Sequence, residues 1–161
     1  MAKTREELIG EIRYAERLCM RTARLYRRLQ SIGTFLTVLG GSGVVAAASS
    51  NLMTSAPWLP VAGTLLLAVF GALLVAIRPA DKAAANETDV KRYAQLRTKA
   101  ADTTVTDAQL EADLNKARES DAAEVEPLRE VAWNDVAKEI GAEPAVLLPL
   151  RPIQRVLSAL A

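Results

Sequence analysis

Residues 31–77 contain no charged side chain, 47 positions in succession. A chain of 161 residues has too small an interior to hide two fully apolar helices of membrane-spanning length. Residues 32–53 and 58–77 each supply about 20 mostly apolar positions, the number needed to cross a hydrocarbon core of about 30 Å. Between them lies SSNLMTSAP, in which Asn51, Ser55 and Pro57 suit a tight turn. Trp58 stands where an interfacial aromatic anchor belongs. The expected fold is an all-α membrane protein. A two-helix transmembrane hairpin is flanked by N- and C-terminal cytoplasmic helices that form a helical bundle.

One motif competes with this reading. Gly41-Ser42-Gly43-Val44-Val45-Ala46 fits G-x-G-x-x-A, the phosphate-binding turn of dinucleotide enzymes. Such a turn requires an acidic residue about 20 positions later to hold the ribose. The positions there read AGTLLLAVF, and the next acid is Asp81. The cofactor reading fails, and no cofactor is expected.

The flanks set the orientation. Residues 1–30 hold eight Lys or Arg against four acids, +4; residues 78–161 hold twelve against fifteen, −3. Arg24, Arg27 and Arg28 precede the first span, Arg78 and Lys82 follow the second, and the connecting turn has no charge. The positive-inside rule places both termini in the cytoplasm and the turn outside. The domain plan is a basic amphipathic helix (1–31), the hairpin (32–77), and a cytoplasmic helical domain with a tail (78–161).

Within the spans, Gly40, Gly41 and Gly43, and then Gly63 and Gly71, remove bulk where another helix can approach. They pack either the hairpin on itself or copies of the chain on one another. Thr34, Thr37, Ser42 and Ser49 place hydroxyls in apolar surroundings. These either bond back to their own helix or face a wet pore. The spans hold no ionisable residue, which argues against a proton-coupled transporter.

Before the spans, Thr4 and Glu7 fit a capping box opening one helix to about Leu29. Leu8, Ile12, Ala15, Cys19, Tyr26 and Leu29 recur at helical spacing. Arg13, Arg17, Arg21, Arg24 and Arg28 form a stripe at steps of four, four, three and four. The stripe reads either as a solvated face attracted to anionic headgroups or as the binding site of an anionic ligand, since guanidinium matches phosphate in bidentate geometry.

After the spans, residues 81–101 read as a helix with Val90, Tyr93, Ala94 and Leu96 on its apolar side. Thr106 and Gln109 fit a second capping box, opening a helix to about Ser120. A further helix begins near Pro127 and stops at Gly141, and an amphipathic stretch covers 152–160. The chain has no histidine and one cysteine, Cys19, read as a quiet buried thiol. Pairs such as Glu111 with Lys116 and Glu130 with Asp135 read as solvated surface. No catalytic or metal-binding constellation emerges, and the chain is read as non-enzymatic.

The layout resembles the SLATT family, two-span effector domains of bacterial nucleotide-second-messenger defence systems. A basic helix running into the first span carries the resemblance, followed by AAANETDVKRYAQLRTKAAD after the second and VEPLREVAWNDVAKEIG with Ala132, Asn134 and Ala137. It implies an oligomeric pore-forming membrane effector of abortive infection, since two spans cannot enclose a pore alone. The implied partners are membrane lipids, further copies of the chain (a tetramer or larger), and a nucleotide or oligonucleotide signal from a partner nucleotidyltransferase. The alternatives are a membrane anchor or scaffold recruiting a cytoplasmic partner, and a holin-like lysis protein.

Overall fold

The computed structural model describes residues 3–40 and 58–161. Every regular element among them is helical: α1 (Arg5–Gly40), α2 (Trp58–Ile77), α3 (Pro79–Ala101), α4 (Asp107–Glu119), α5 (Arg129–Glu139) and α6 (Pro152–Leu160). Two 3₁₀ turns, Glu126–Leu128 and Pro144–Val146, precede α5 and α6. The second half of the first expected span, with the turn of the hairpin, lies outside the described residues.

The chain divides into two compact units, Met1–Tyr26 with Asp81–Ala161, and Arg27–Ala80. In the first, Leu8, Ile12, Ala15 and Cys19 of α1 meet Tyr93, Leu96 and Ala100 of α3 and Leu110, Leu114 and Ala117 of α4. Leu8, Ile12, Tyr93, Leu110 and Leu114 are wholly buried. Each such side chain contributes about 1.5–3 kcal/mol by leaving water. The three-helix core therefore follows from the 3.6-residue periodicity of each segment. The tail helix α6 packs on the Glu126–Leu128 turn and on α5.

Both capping boxes and the Gly141 stop are where the sequence placed them. Thr4 N–H donates to Glu7 Oε2 at 2.8 Å and Glu7 N–H to Thr4 Oγ1 at 3.3 Å, closing the first capping box. Thr106 and Gln109 close the second. Gly141 adopts φ +71. Its N–H donates to Lys138 O at 3.1 Å while Ala142 N–H donates to Ala137 O at 2.9 Å, the paired bonds of a Schellman stop. The apolar α2 ends differently. Arg78 sits at φ 51, and its N–H donates to Leu74 O at 3.0 Å. That left-handed cap normally falls to glycine, so arginine carries strain there. Pro79, which has no N–H to continue the ladder, then opens α3. One difference from expectation is α1, which runs unbroken through Gly40 rather than stopping near Leu29. No proline or polar cluster interrupts residues 29–40, so the helix carries from basic to apolar sequence without a break.

Candidate functional site

Most of the described apolar side chains in the unit Arg27–Ala80 are exposed. In α2, Leu65, Leu66, Leu67, Val69, Leu73 and Val75 are exposed, Leu66 by 70% and Val75 by 79%. Successive residues of a helix point about 100° apart, so exposure at 65, 66, 67 and 75 surrounds the helix. Phe70, Leu74 and Ile77 are half-buried and mark the remaining seam. In α1, Ile32, Phe35, Val38 and Leu39 are exposed. Among the described residues, one helical stretch, Val61–Ala101, is long and apolar enough to cross a membrane. Its most apolar 18 residues average 2.2 in mean hydropathy, and none of them is buried. A helix apolar all round needs either a protein interior or lipid around it, and here none of the described residues buries it.

The small residues of this unit separate into two kinds. Gly33 is buried, and a Cβ placed on it would overlap Leu74 Cδ1, so α1 and α2 approach closely there. A Cβ on Gly63 or Gly71 would meet nothing within 4 Å among the described residues. Gly33 escaped the sequence reading because it lies at the edge of the apolar run, apart from the Gly40–Gly43 cluster. Only the partner helix shows that its missing side chain matters. Thr34 Oγ1 donates to Gln30 O at 3.0 Å and Thr37 Oγ1 to Gly33 O at 2.9 Å. Both hydroxyls thus take the back-bonding option, which satisfies a polar group inside an apolar segment. Gly40 closes α1. Gly41, Ser42, Gly43 and Ser49 lie outside the described residues.

The arginine stripe splits by partner. Arg21 grips Asp135 with two bonds, Nε to Oδ2 at 2.8 Å and Nη2 to Oδ1 at 3.0 Å, and adds Nη1 to Ser158 O at 3.1 Å. Arg17 pairs with Glu139. The basic helix is thereby latched to α5 and α6. Asp135 is a structural partner of Arg21 rather than open surface, and Glu130 accepts from Gln154 at 2.7 Å. Sequence reasoning could not assign these pairs because their members lie more than a hundred positions apart (Arg21 and Asp135) or on separate short helices. Arg13 Nε is buried with no hydrogen-bond partner among the described residues. It borders a cavity of about 40 Å³ shared with Glu16, Arg17, Met20, Arg97 and Glu139. That volume suits water, not a nucleotide. Arg24 donates to Met20 Sδ at 3.3 Å and is exposed, as is Arg28.

Other partners tie α1 to the helices beyond the apolar run. Arg5 donates to Ala100 O, Asp102 O, Val105 O and Asp107 Oδ1, clamping the α3–α4 loop. Arg97 pairs with the buried Glu16 at 3.2 Å. Burial pushes the Glu11 carboxyl up, but bonds from Lys3 and Arg118 outweigh it and hold the group below its ordinary value. Asn134 is buried and exchanges two bonds with Leu148, Nδ2 to O and N–H to Oδ1, both 2.8 Å. With Ala132 and Ala137 also buried, the small-Asn-x-x-Ala pattern is the clasp for the tail.

A cluster of titratable groups lies beside Cys19. Tyr93 Oη donates to Asp121 Oδ2 at 2.5 Å, and Asp89 Oδ2 accepts Ala122 N–H at 2.9 Å. Burial, with the Asp89 charge, lifts Asp121 above its ordinary value despite the Tyr93 bond. Burial likewise pushes the Cys19 thiol up to about 12, aided by the charges of Asp121 and Asp89. The thiol stays protonated at physiological pH and is a poor nucleophile. No family model, curated protein or solved structure matches the chain.

Proposed function

We propose that this protein is an oligomeric, pore-forming effector of the bacterial inner membrane, with both termini cytoplasmic, which disrupts the membrane in response to a nucleotide-derived signal. The observation that carries the membrane part is α2, apolar on every side and without a buried residue along its most apolar stretch. The oligomer is supported by Gly63 and Gly71, where a Cβ would meet none of the described residues within 4 Å and small size lets a further helix approach. The gating and defence parts rest on the resemblance to the SLATT family.

In this reading the arginine stripe is the latch. Arg17 and Arg21 hold α5 through Glu139 and Asp135. A phosphate-bearing signal competes with those carboxylates for the same bidentate geometry. It shifts the equilibrium only as far as it prefers the released state.

The test is release of a small trapped dye from liposomes carrying the purified protein, with and without a nucleotide extract from phage-infected cells. Protein-dependent leakage that changes with the extract is expected. Confirmed insertion with no leakage in either condition would leave the anchor or scaffold reading in its place. That reading has one feature of its own in its favour: Trp133, Ile140, Val146 and Leu148 are exposed on the cytoplasmic unit.

A further inference from the structure

A groove of about 320 Å³ opens between α3 and α4, in a part of the chain where the sequence shows only dispersed charges. Its volume falls in the range of small-molecule sites. Leu96 and Ala117, both buried, form its floor, and Arg92, Lys99 and Lys116 stand on its walls.

The charges are unevenly neutralised. Arg92 is fixed from behind: Nη1 meets the buried Asp89 Oδ1 at 3.1 Å and donates to Ser120 Oγ at 2.8 Å. Lys99 pairs with Asp113 at 2.9 Å. Lys116 is exposed and has no ion pair among the described residues. Three cations thus face one another across a space whose lining holds a single carboxylate. Like charges converging on a concave apolar floor raise the local positive potential and attract a compact anion. Arg92 is preorganised, so its remaining N–H groups meet a ligand at little entropic cost. Gln95, on the same rim, supplies both an amide donor and an acceptor.

We propose that the α3–α4 groove binds a small phosphate-bearing molecule, its phosphate held by Arg92 and Lys116 with Lys99 alongside, and its organic part lying on Leu96 and Ala117 beside Gln95. The site is separate from the arginine stripe of α1. It rests on the geometry of two helices and stands whether or not the chain forms a pore.

The experiment is isothermal titration of the full chain, purified in a non-ionic detergent, with inorganic phosphate, pyrophosphate and adenosine monophosphate. A parallel titration uses short-chain phosphatidylglycerol. Two variants test the site without removing a contact: Lys116→Glu, which reverses the unpaired cation, and Gln95→Glu, which adds a carboxylate to the rim. Lys138→Glu, an exposed change on α5, is the control. Binding of pyrophosphate or the mononucleotide, weakened about tenfold or more in both variants and unchanged in the control, is the expected result. A signal from phosphatidylglycerol alone, lost in the same two variants, keeps the phosphate site and assigns a lipid headgroup as its source. Absence of binding by every probe, or equal weakening in the Lys138 control, overturns the proposal. Circular dichroism of each variant separates loss of the site from loss of the fold.

Discussion

The two units of this chain use the same secondary structure with opposite rules. In Met1–Tyr26 with Asp81–Ala161, leucines point inward and arginines find carboxylates from distant segments. Among the described residues of Arg27–Ala80, most leucines point outward and the hydroxyls of Thr34 and Thr37 turn back onto their own helix. The first arrangement is what water imposes: apolar area hides and charge pairs or solvates. The second is the arrangement that hydrocarbon would favour, because a lipid tail accepts a leucine but offers no partner to a polar group.

The largest effect that tests this contrast is a matched pair of leucine truncations. Leu114→Ala, at a wholly buried position, should cost about 2–5 kcal/mol in denaturant unfolding of the detergent-solubilised chain. Leu65→Ala, at an exposed position of α2, should cost less than about 0.5 kcal/mol. Similar losses at both sites would mean that α2 packs like a soluble core. A charge inverts the order: Leu66→Arg leaves the solubilised fold intact but opposes insertion by about 2.5–3.5 kcal/mol, read as the membrane-integrated fraction.

Next in size is the clasp at Asn134. Asn134→Leu leaves the Leu148 N–H and C=O without partners, at a cost of about 2 kcal/mol. The tail from residue 144 onward should become sensitive to protease at concentrations that spare the native chain. Unchanged protection would show that α6 is held by its other contacts alone. Arg21→Ala should cost less, about 1–2 kcal/mol, because both partners of the Asp135 pair keep partial access to water.

Two acids give opposite pH signatures. The folded Glu11 carboxyl lies below its ordinary value of 4.5. Its stabilisation is therefore full above that value and is lost as pH falls through the folded one. Glu11→Gln should lower Tm at pH 7, and the deficit should shrink on acidification. Asp121 lies above its ordinary value of 3.8, so its protonated form favours the fold below that value, and the benefit is lost as pH rises through the higher folded one. Asp121→Asn keeps an acceptor for Tyr93 and should gain relative to the parent as pH rises. Parallel pH curves for the two variants would break this assignment.

The smallest expected effect is also the most informative about assembly. Gly63→Ala meets no atom of the described residues within 4 Å and should leave unfolding within about 1 kcal/mol of the parent, on the stabilising side from helix propensity. If copies pack through that face, the same change reduces cross-linked oligomer in the membrane. Gly33→Val, by contrast, pushes against Leu74 and should loosen α1 from α2 within a single chain.

Much of this was legible in one dimension. The 47 uncharged residues marked the apolar unit, because a long apolar stretch is read from length and polarity alone. Both capping boxes and the Gly141 stop could be read because caps are local, set by residues three or four apart. The heptad-like recurrence of Leu8, Ile12, Ala15 and Cys19 named one face of the core before its partners were known. What the sequence could not determine were relations between segments far apart in the chain. The grip of Arg21 on Asp135, the clasp of Asn134 on Leu148, the approach of Gly33 to Leu74 and the meeting of Arg92, Lys99 and Lys116 around one groove all require helices to be brought together. Periodicity fixes which face of a helix turns inward, but only tertiary packing decides what that face, and the charges beside it, will meet.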